Sequence, residues 1–151
     1  MKTKTIILTL ALCVVAVAFA SPNMGTWKLN EAKSKFPPGA SKNTTVVYEA
    51  AGDNVKVTVD GLDGDGKPTH NEWTGKFDGK DYPVTGDPNV DTRSYKKVDA
   101  RTTDLTNKKG GKVTASGRIV VSADGKSRTV TVSATDAMGM KVKSTAVYDK
   151  Q

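Results

Sequence analysis

Few residues in this chain have the type and spacing that catalysis or metal binding requires. The one histidine, His70, stands beside Asn71 and Glu72. A general base needs an oriented nucleophile and a metal site needs several ligands; with no second imidazole, His70 reads as an ordinary strand residue. Asp63, Asp65, Gly66 and Glu72 fall at positions 3, 5, 6 and 12 of a calcium-binding loop. Gly61 occupies the first ligand's position, however, and Pro68 interrupts the run, so a solvated Asp-Gly turn is expected there. Asp87, Asp91 and Arg93 are the densest polar group left, but Gly86-Asp87-Pro88-Asn89 is itself a turn sequence. No nucleophile, base and stabiliser converge, so the expectation is a protein that is not an enzyme and has no metal or cofactor.

The elements that would position any site are strands. Val55, Val57 and Val59 alternate with Lys56, Thr58 and Asp60, and Val130, Val132 and Ala134 alternate with Thr129, Thr131 and Ser133. Such a period of two gives each strand one apolar face. Ala51-Gly52-Asp53-Asn54, Asp78-Gly79, Gly110-Gly111, Asp124-Gly125 and Met138-Gly139 separate the strands with residues that accept positive φ, which predicts hairpins. Ten strands are predicted, over 24–30, 44–50, 55–61, 69–77, 80–85, 91–98, 102–108, 112–122, 127–136 and 140–150. Asn30 to Lys42 lacks alternation, and Pro37-Pro38-Gly39 forbids a long helix, leaving room for one helical turn around Glu31 to Lys35. A run of hairpins without a break favours closure, because a barrel removes exposed edges. The fold class is therefore all-β: a single up-and-down antiparallel barrel of about 8–10 strands.

Parity along those strands selects the interior. If Val142, Ala146 and Tyr148 face inward with Val130 and Val132, then Arg128 does too, whereas Arg118 has the opposite parity and faces water. Arg128 near a barrel mouth, with Tyr148 close by, could hold a carboxylate or phosphate through charge-assisted hydrogen bonds. The competing reading is an arginine that covers apolar surface and carries its head to solvent. Trp27 and Trp73 are expected as plug or core residues.

Lys2 and Lys4 precede an apolar stretch from Ile6 to Phe19 that ends in Ala18-Phe19-Ala20. A spanning helix needs roughly 20 apolar residues; the small-x-small ending predicts a signal peptide over 1–20, cleaved before Ser21. A lipoprotein signal at Cys13 is disfavoured by the bulky Leu12. Cleavage leaves one domain over 21–151, a chain of 131 residues without cysteine and with 21 basic against 16 acidic side chains, a formal net charge of +5. A chain of that size buries about two-thirds of its unfolded surface. Its lysines are scattered among acids and not gathered with aromatics, which argues against nucleic acid as a partner. No integral membrane segment is expected in the mature chain, which is expected to be a monomer, secreted or in the periplasm of a bacterial envelope.

The two ends carry a resemblance. Gly25-Thr26-Trp27-Lys28-Leu29 resembles the opening strand of the calycin superfamily, the lipocalins and fatty-acid-binding proteins, and Thr145-Ala146-Val147-Tyr148-Asp149-Lys150 resembles the closing strand of the fatty-acid-binding branch. The opening, with Ala32 to Phe36, is also similar to small exported bacterial lipocalin-like proteins. The resemblance implies that Gly25 and Trp27 plug one end of a barrel. In that family a Thr-Arg-x-Tyr segment holds the ligand carboxylate; here Tyr148 keeps its place, while the arginine's position is Ala146. The function expected is the binding of a small apolar or amphipathic molecule inside the barrel, anionic if Arg128 and Tyr148 are its polar contacts. The alternative is a filled barrel that acts through its surface as an envelope or protein-interaction module.

Overall fold

The computed structural model describes residues 21–136 and 138–151, so the predicted signal peptide lies outside the described residues. All ten predicted strands form: β1 (Gly25–Lys35), β2 (Lys42–Ala51), β3 (Asn54–Leu62), β4 (Pro68–Gly75), β5 (Tyr82–Thr85), β6 (Thr92–Lys97), β7 (Thr102–Lys109), β8 (Lys112–Val121), β9 (Ser127–Thr135) and β10 (Lys141–Lys150). Each pairs antiparallel with its sequence neighbours, and β1 closes the sheet on β10, giving a single up-and-down barrel. Closure is made by the two segments that bracket the fold, with Trp27 opposite Lys150 and Leu29 opposite Tyr148. No strand edge is left open along that seam, so the hydrogen-bonding groups that would template another chain are used internally.

Residues 31–35 correct one expectation. They form no helical turn but continue β1 through an irregularity in register between Asn30 and Lys35. Side chains satisfy the backbone that the irregularity frees. Asn30 Oδ1 accepts from the Lys33 amide at 3.2 Å, and Ser34 Oγ donates to the Asn30 carbonyl at 2.7 Å while accepting from the Val147 amide at 2.9 Å. Pro37 and Pro38 then end the strand, as a residue that cannot donate to the ladder must.

The barrel is packed at one end and open at the other. The end formed by the β2–β3, β4–β5, β6–β7 and β8–β9 connections holds the fully buried Trp27, Trp73, Val57 and Val121. Trp27 Nε1 donates to the Asn23 carbonyl at 2.8 Å, and Trp73 Nε1 donates to the Arg93 carbonyl at 2.8 Å, so each indole is buried with its N–H satisfied. Trp73 also packs edge-on to Tyr95 and Tyr82, with ring centroids 4.7 and 5.6 Å apart. The sheet can bend around this cluster because Gly75 leaves room. A Cβ there would sit 2.5 Å from the Tyr82 ring. Both tryptophans thus have the core roles expected of them, and Trp27 forms the floor that the resemblance implied.

Candidate functional site

Above that floor the barrel encloses a cavity of about 1110 Å³ that opens through the connections after β1, β3, β5, β7 and β9. Its walls follow from strand parity. Val46 and Tyr48 on β2, Val59 on β3, Tyr95 on β6, Ile119 on β8 and Ala146 on β10 all present their side chains to it. Small-molecule sites are commonly apolar chambers of ~300–1,000 Å³ with a few placed polar groups. The chamber is large enough for such a ligand.

Two arginines enter the apolar chamber. Arg128, on β9 opposite Tyr148 and Val121, is 2% exposed. Its guanidinium carbon lies 5.0 Å from the ring centroid of Trp27 and 4.9 Å from those of Tyr48 and Tyr148. Three π faces therefore surround one cation, and contacts of this kind strengthen when water is excluded. They do not satisfy its N–H groups, since Nε and Nη1 are buried without a hydrogen-bond acceptor. The sequence reading placed Arg128 near the mouth with its head free to reach water; it sits instead on the chamber floor, just above Trp27. Lys150 also approaches that indole, with its ammonium 5.4 Å from the ring centroid.

Arg93, near the start of β6, is 7% exposed and faces inward with the same parity as Tyr95. Nε donates to Asn107 Oδ1 at 2.7 Å, and Nη1 lies 3.4 Å from Asn71 Oδ1. Asn107 is its direct partner across the β6–β7 ladder, so register alone brings the pair together. Both acceptors are neutral amides. The sequence grouped Arg93 with Asp87 and Asp91, but those two acids stay in the loop. Asp87 accepts from the Asn89 amide at 2.9 Å, and Asp91 from the Gly110 amide at 2.7 Å and from Lys109 at 3.1 Å.

The electrostatic consequence is an interior of one sign. Among the described residues, the buried polar and charged side chains are Asn23, Asn71, Arg93, Ser94, Thr103 and Arg128, with no carboxylate among them. The acids at the mouth are turned to their own loops: Asp63 accepts from the Asp65 and Lys67 amides, and Asp136 from the Met138 and Met140 amides, all at 2.9 Å. Asp63 thus does the turn chemistry expected of the loop with calcium-like spacing. Burying a cation away from water costs several kcal/mol unless an anion or a full set of acceptors compensates it. Two such cations face one chamber.

Tyr148 is buried beside Arg128, and its hydroxyl donates to the Asn43 carbonyl at 3.0 Å. Burial pushes its pKa up to about 12, against the opposing pull of Arg128. It is therefore a neutral phenol whose proton is already committed to the backbone and whose oxygen can still accept. Burial, with the neighbouring Tyr48, likewise raises Tyr95 well above the ordinary phenol range. His70 lies on the outer surface instead, where the hydrogen bond that its Nδ1 donates to Asp60 Oδ1 at 2.6 Å and the nearby Glu72 raise its pKa. Arg118 also faces out, paired with Asp104 at 2.7 Å.

The fold and site together define a closed ten-stranded antiparallel barrel with an open, cation-lined chamber. No protein-family model matches the chain, and no curated protein matches it. Among solved structures it is similar to that of EF1p2_mFAP2b bound to DFHBI, with 14% identity over 86% of this chain and 94% of that one and a TM-score of 0.48. It is also similar to a redesigned β-barrel, mFAP1, bound to DFHBI, with 17% identity over 85% of this chain and 95% of that one and a TM-score of 0.44.

Proposed function

We propose that this chain is an exported carrier of a small amphipathic anion, held inside the barrel with its acidic head toward Arg128 and Arg93. The observation that carries the reading is the pair of buried guanidiniums facing a chamber of about 1110 Å³ without a buried carboxylate. An acidic head group would supply the acceptors that Arg128 Nε and Nη1 lack, through charge-assisted hydrogen bonds. The ligand's apolar body would lie against Val46, Val59, Ile119 and Ala146. Arg128 acts as the anchor, Arg93 as a second cation held in place by Asn71 and Asn107, and Tyr148 as an acceptor. Export rests on the residue pattern over 1–20 and places the carrier in a bacterial envelope or outside the cell; membership of the small lipocalin-like exported proteins is part of the same proposal.

The test is a fluorescence titration with 8-anilinonaphthalene-1-sulfonate, an aromatic sulfonate of suitable size, on the folded protein and on Arg93→Met. Loss of one charge-assisted contact costs about 1.5–3 kcal/mol, so binding should weaken roughly 10- to 150-fold. Equal affinity in Arg93→Met and the parent would remove Arg93 from the site. Absence of enhanced fluorescence in the parent at millimolar probe would contradict the reading as a whole.

A further inference from the structure

We infer that the barrel docks mouth-first on an anionic lipid surface, through the lip made by the β7–β8 and β9–β10 hairpins. At the tip of the second hairpin Met138 is 87% exposed and Met140 63% exposed; near the tip of the first, Val113 is 57% exposed. β8 and β9 are neighbours with Ala115 opposite Ala134, so the two hairpins leave the sheet side by side. Single exposed apolar residues are ordinary on a protein surface. Here three project from adjacent hairpin tips, and two of them are methionines, whose unbranched side chains adapt to an irregular apolar phase.

The charge beside these tips selects the phase. Lys112 precedes Val113, and Lys141 and Lys143 follow Met140; among the described residues no ion pair engages these three lysines. The nearest acid in the second hairpin, Asp136, is turned to the Met138 and Met140 amides and holds the tip in shape. Lys109 is held by Asp91. The lip therefore presents apolar side chains flanked by ammonium groups, the complement of an acyl boundary beneath anionic head groups.

The lip also borders the chamber, since Thr114, Ala115, Thr135 and Lys143 line both the hairpin bases and the cavity. Docking would set the opening against the bilayer, where an amphipathic anion could pass between membrane and barrel without crossing water. That cargo rests on the function proposed above; the docking itself does not, and the two fail separately.

The experiment is co-sedimentation of the folded protein with sucrose-loaded vesicles of phosphatidylcholine alone or with one-third phosphatidylglycerol. The expected result is association with the anionic vesicles alone, reversed by 0.5 M NaCl. Each lysine near such a surface contributes about 1 kcal/mol, so Lys141→Gln with Lys143→Gln should weaken partitioning about 30-fold. Met138→Ser with Met140→Ser should weaken it at least several-fold, and Arg93→Met should leave it unchanged while sulfonate binding falls. Equal partitioning to neutral and anionic vesicles, or parental partitioning by both lip double variants, would overturn the inference. So would a dimer that forms through the lip, is lost on methionine replacement, and shows no vesicle association.

Discussion

Replacing Arg128 by methionine should make the empty protein more stable and the ligand-binding protein worse. The side chain is 2% exposed, and two of its N–H groups have no acceptor. Desolvating the cation costs several kcal/mol, and each unsatisfied buried donor adds about 1–3 kcal/mol. Against this stand three cation–π contacts at 4.9–5.0 Å, each worth about 2 kcal/mol or more in a desolvated setting but not additive for one cation. Methionine keeps the apolar stem's volume and its contact with the Trp27, Tyr48 and Tyr148 rings while removing the charge. Replacement of buried ion pairs by well-packed apolar side chains is often neutral or stabilising by about 1–4 kcal/mol, and Arg128 has no partner carboxylate that its removal would strand. Arg128→Met should therefore raise the stability of the ligand-free protein by about 1–3 kcal/mol, read as an increased urea midpoint at constant m-value. The same variant should lose at least 30-fold in affinity for an aromatic sulfonate, because the anchor for its head is gone. A ligand-free variant destabilised by more than about 2 kcal/mol would refute the reasoning. It would show that the three rings compensate the cation fully and that Arg128 is a structural plug with no need of a ligand.

Other perturbations separate interior from surface. Tyr148 is raised to about 12 from an ordinary value near 10, and Tyr95 is raised as well; their stabilisation is intact below pH 10 and is lost as pH rises through the folded values. Stability should fall between pH 10 and 12 by about 1.4 kcal/mol per pH unit for each tyrosine. Tyr148→Phe should remove about half of that slope in urea titrations, and an unchanged slope would show that Tyr148 is not held neutral by burial. Gly75→Ala should cost about 1–3 kcal/mol, because the new methyl group meets the Tyr82 and Trp73 rings; thermal unfolding within 1 °C of the parent would show that the sheet bends freely there. Arg118→Ala removes an exposed pair with Asp104 and should leave the urea midpoint close to that of the parent, because solvent-exposed ion pairs contribute little. It should leave sulfonate affinity unaltered, and a loss like that of Arg128→Met would mean that the titration reads net charge and not the chamber.

The fold was legible because its signals are local. Period-two alternation and Gly-containing turns located ten strands, and the Gly-x-Trp opening with its matching closing strand identified the seam now seen between Trp27 and Lys150. Parity also assigned Arg128 and Tyr148 to the interior. It could not give height along the barrel axis, which depends on which connections open and on the Trp27 floor, so Arg128 was placed at the wrong end. Arg93 was missed for a different reason. The strand predicted over 91–98 contains it, and the parity it shares with Tyr95 was the available signal, but its closeness in sequence to Asp87 and Asp91 grouped it with the acids of the preceding turn. Its partners Asn71 and Asn107 lie on other strands, and only the closed sheet brings them together. The irregularity at residues 31–35 escaped a local reading because Ser34 is bonded to Val147, 113 positions away.

The central claim is that the chamber holds an anion because its cations lack an internal counter-charge. Isothermal titration at one pH with two amphiphiles of equal chain length, dodecanoate and dodecanol, tests it most directly. The account predicts that dodecanoate binds at least 30-fold more tightly than dodecanol, and that the difference collapses in Arg128→Met. Equal affinity for the two in the parent protein would contradict it.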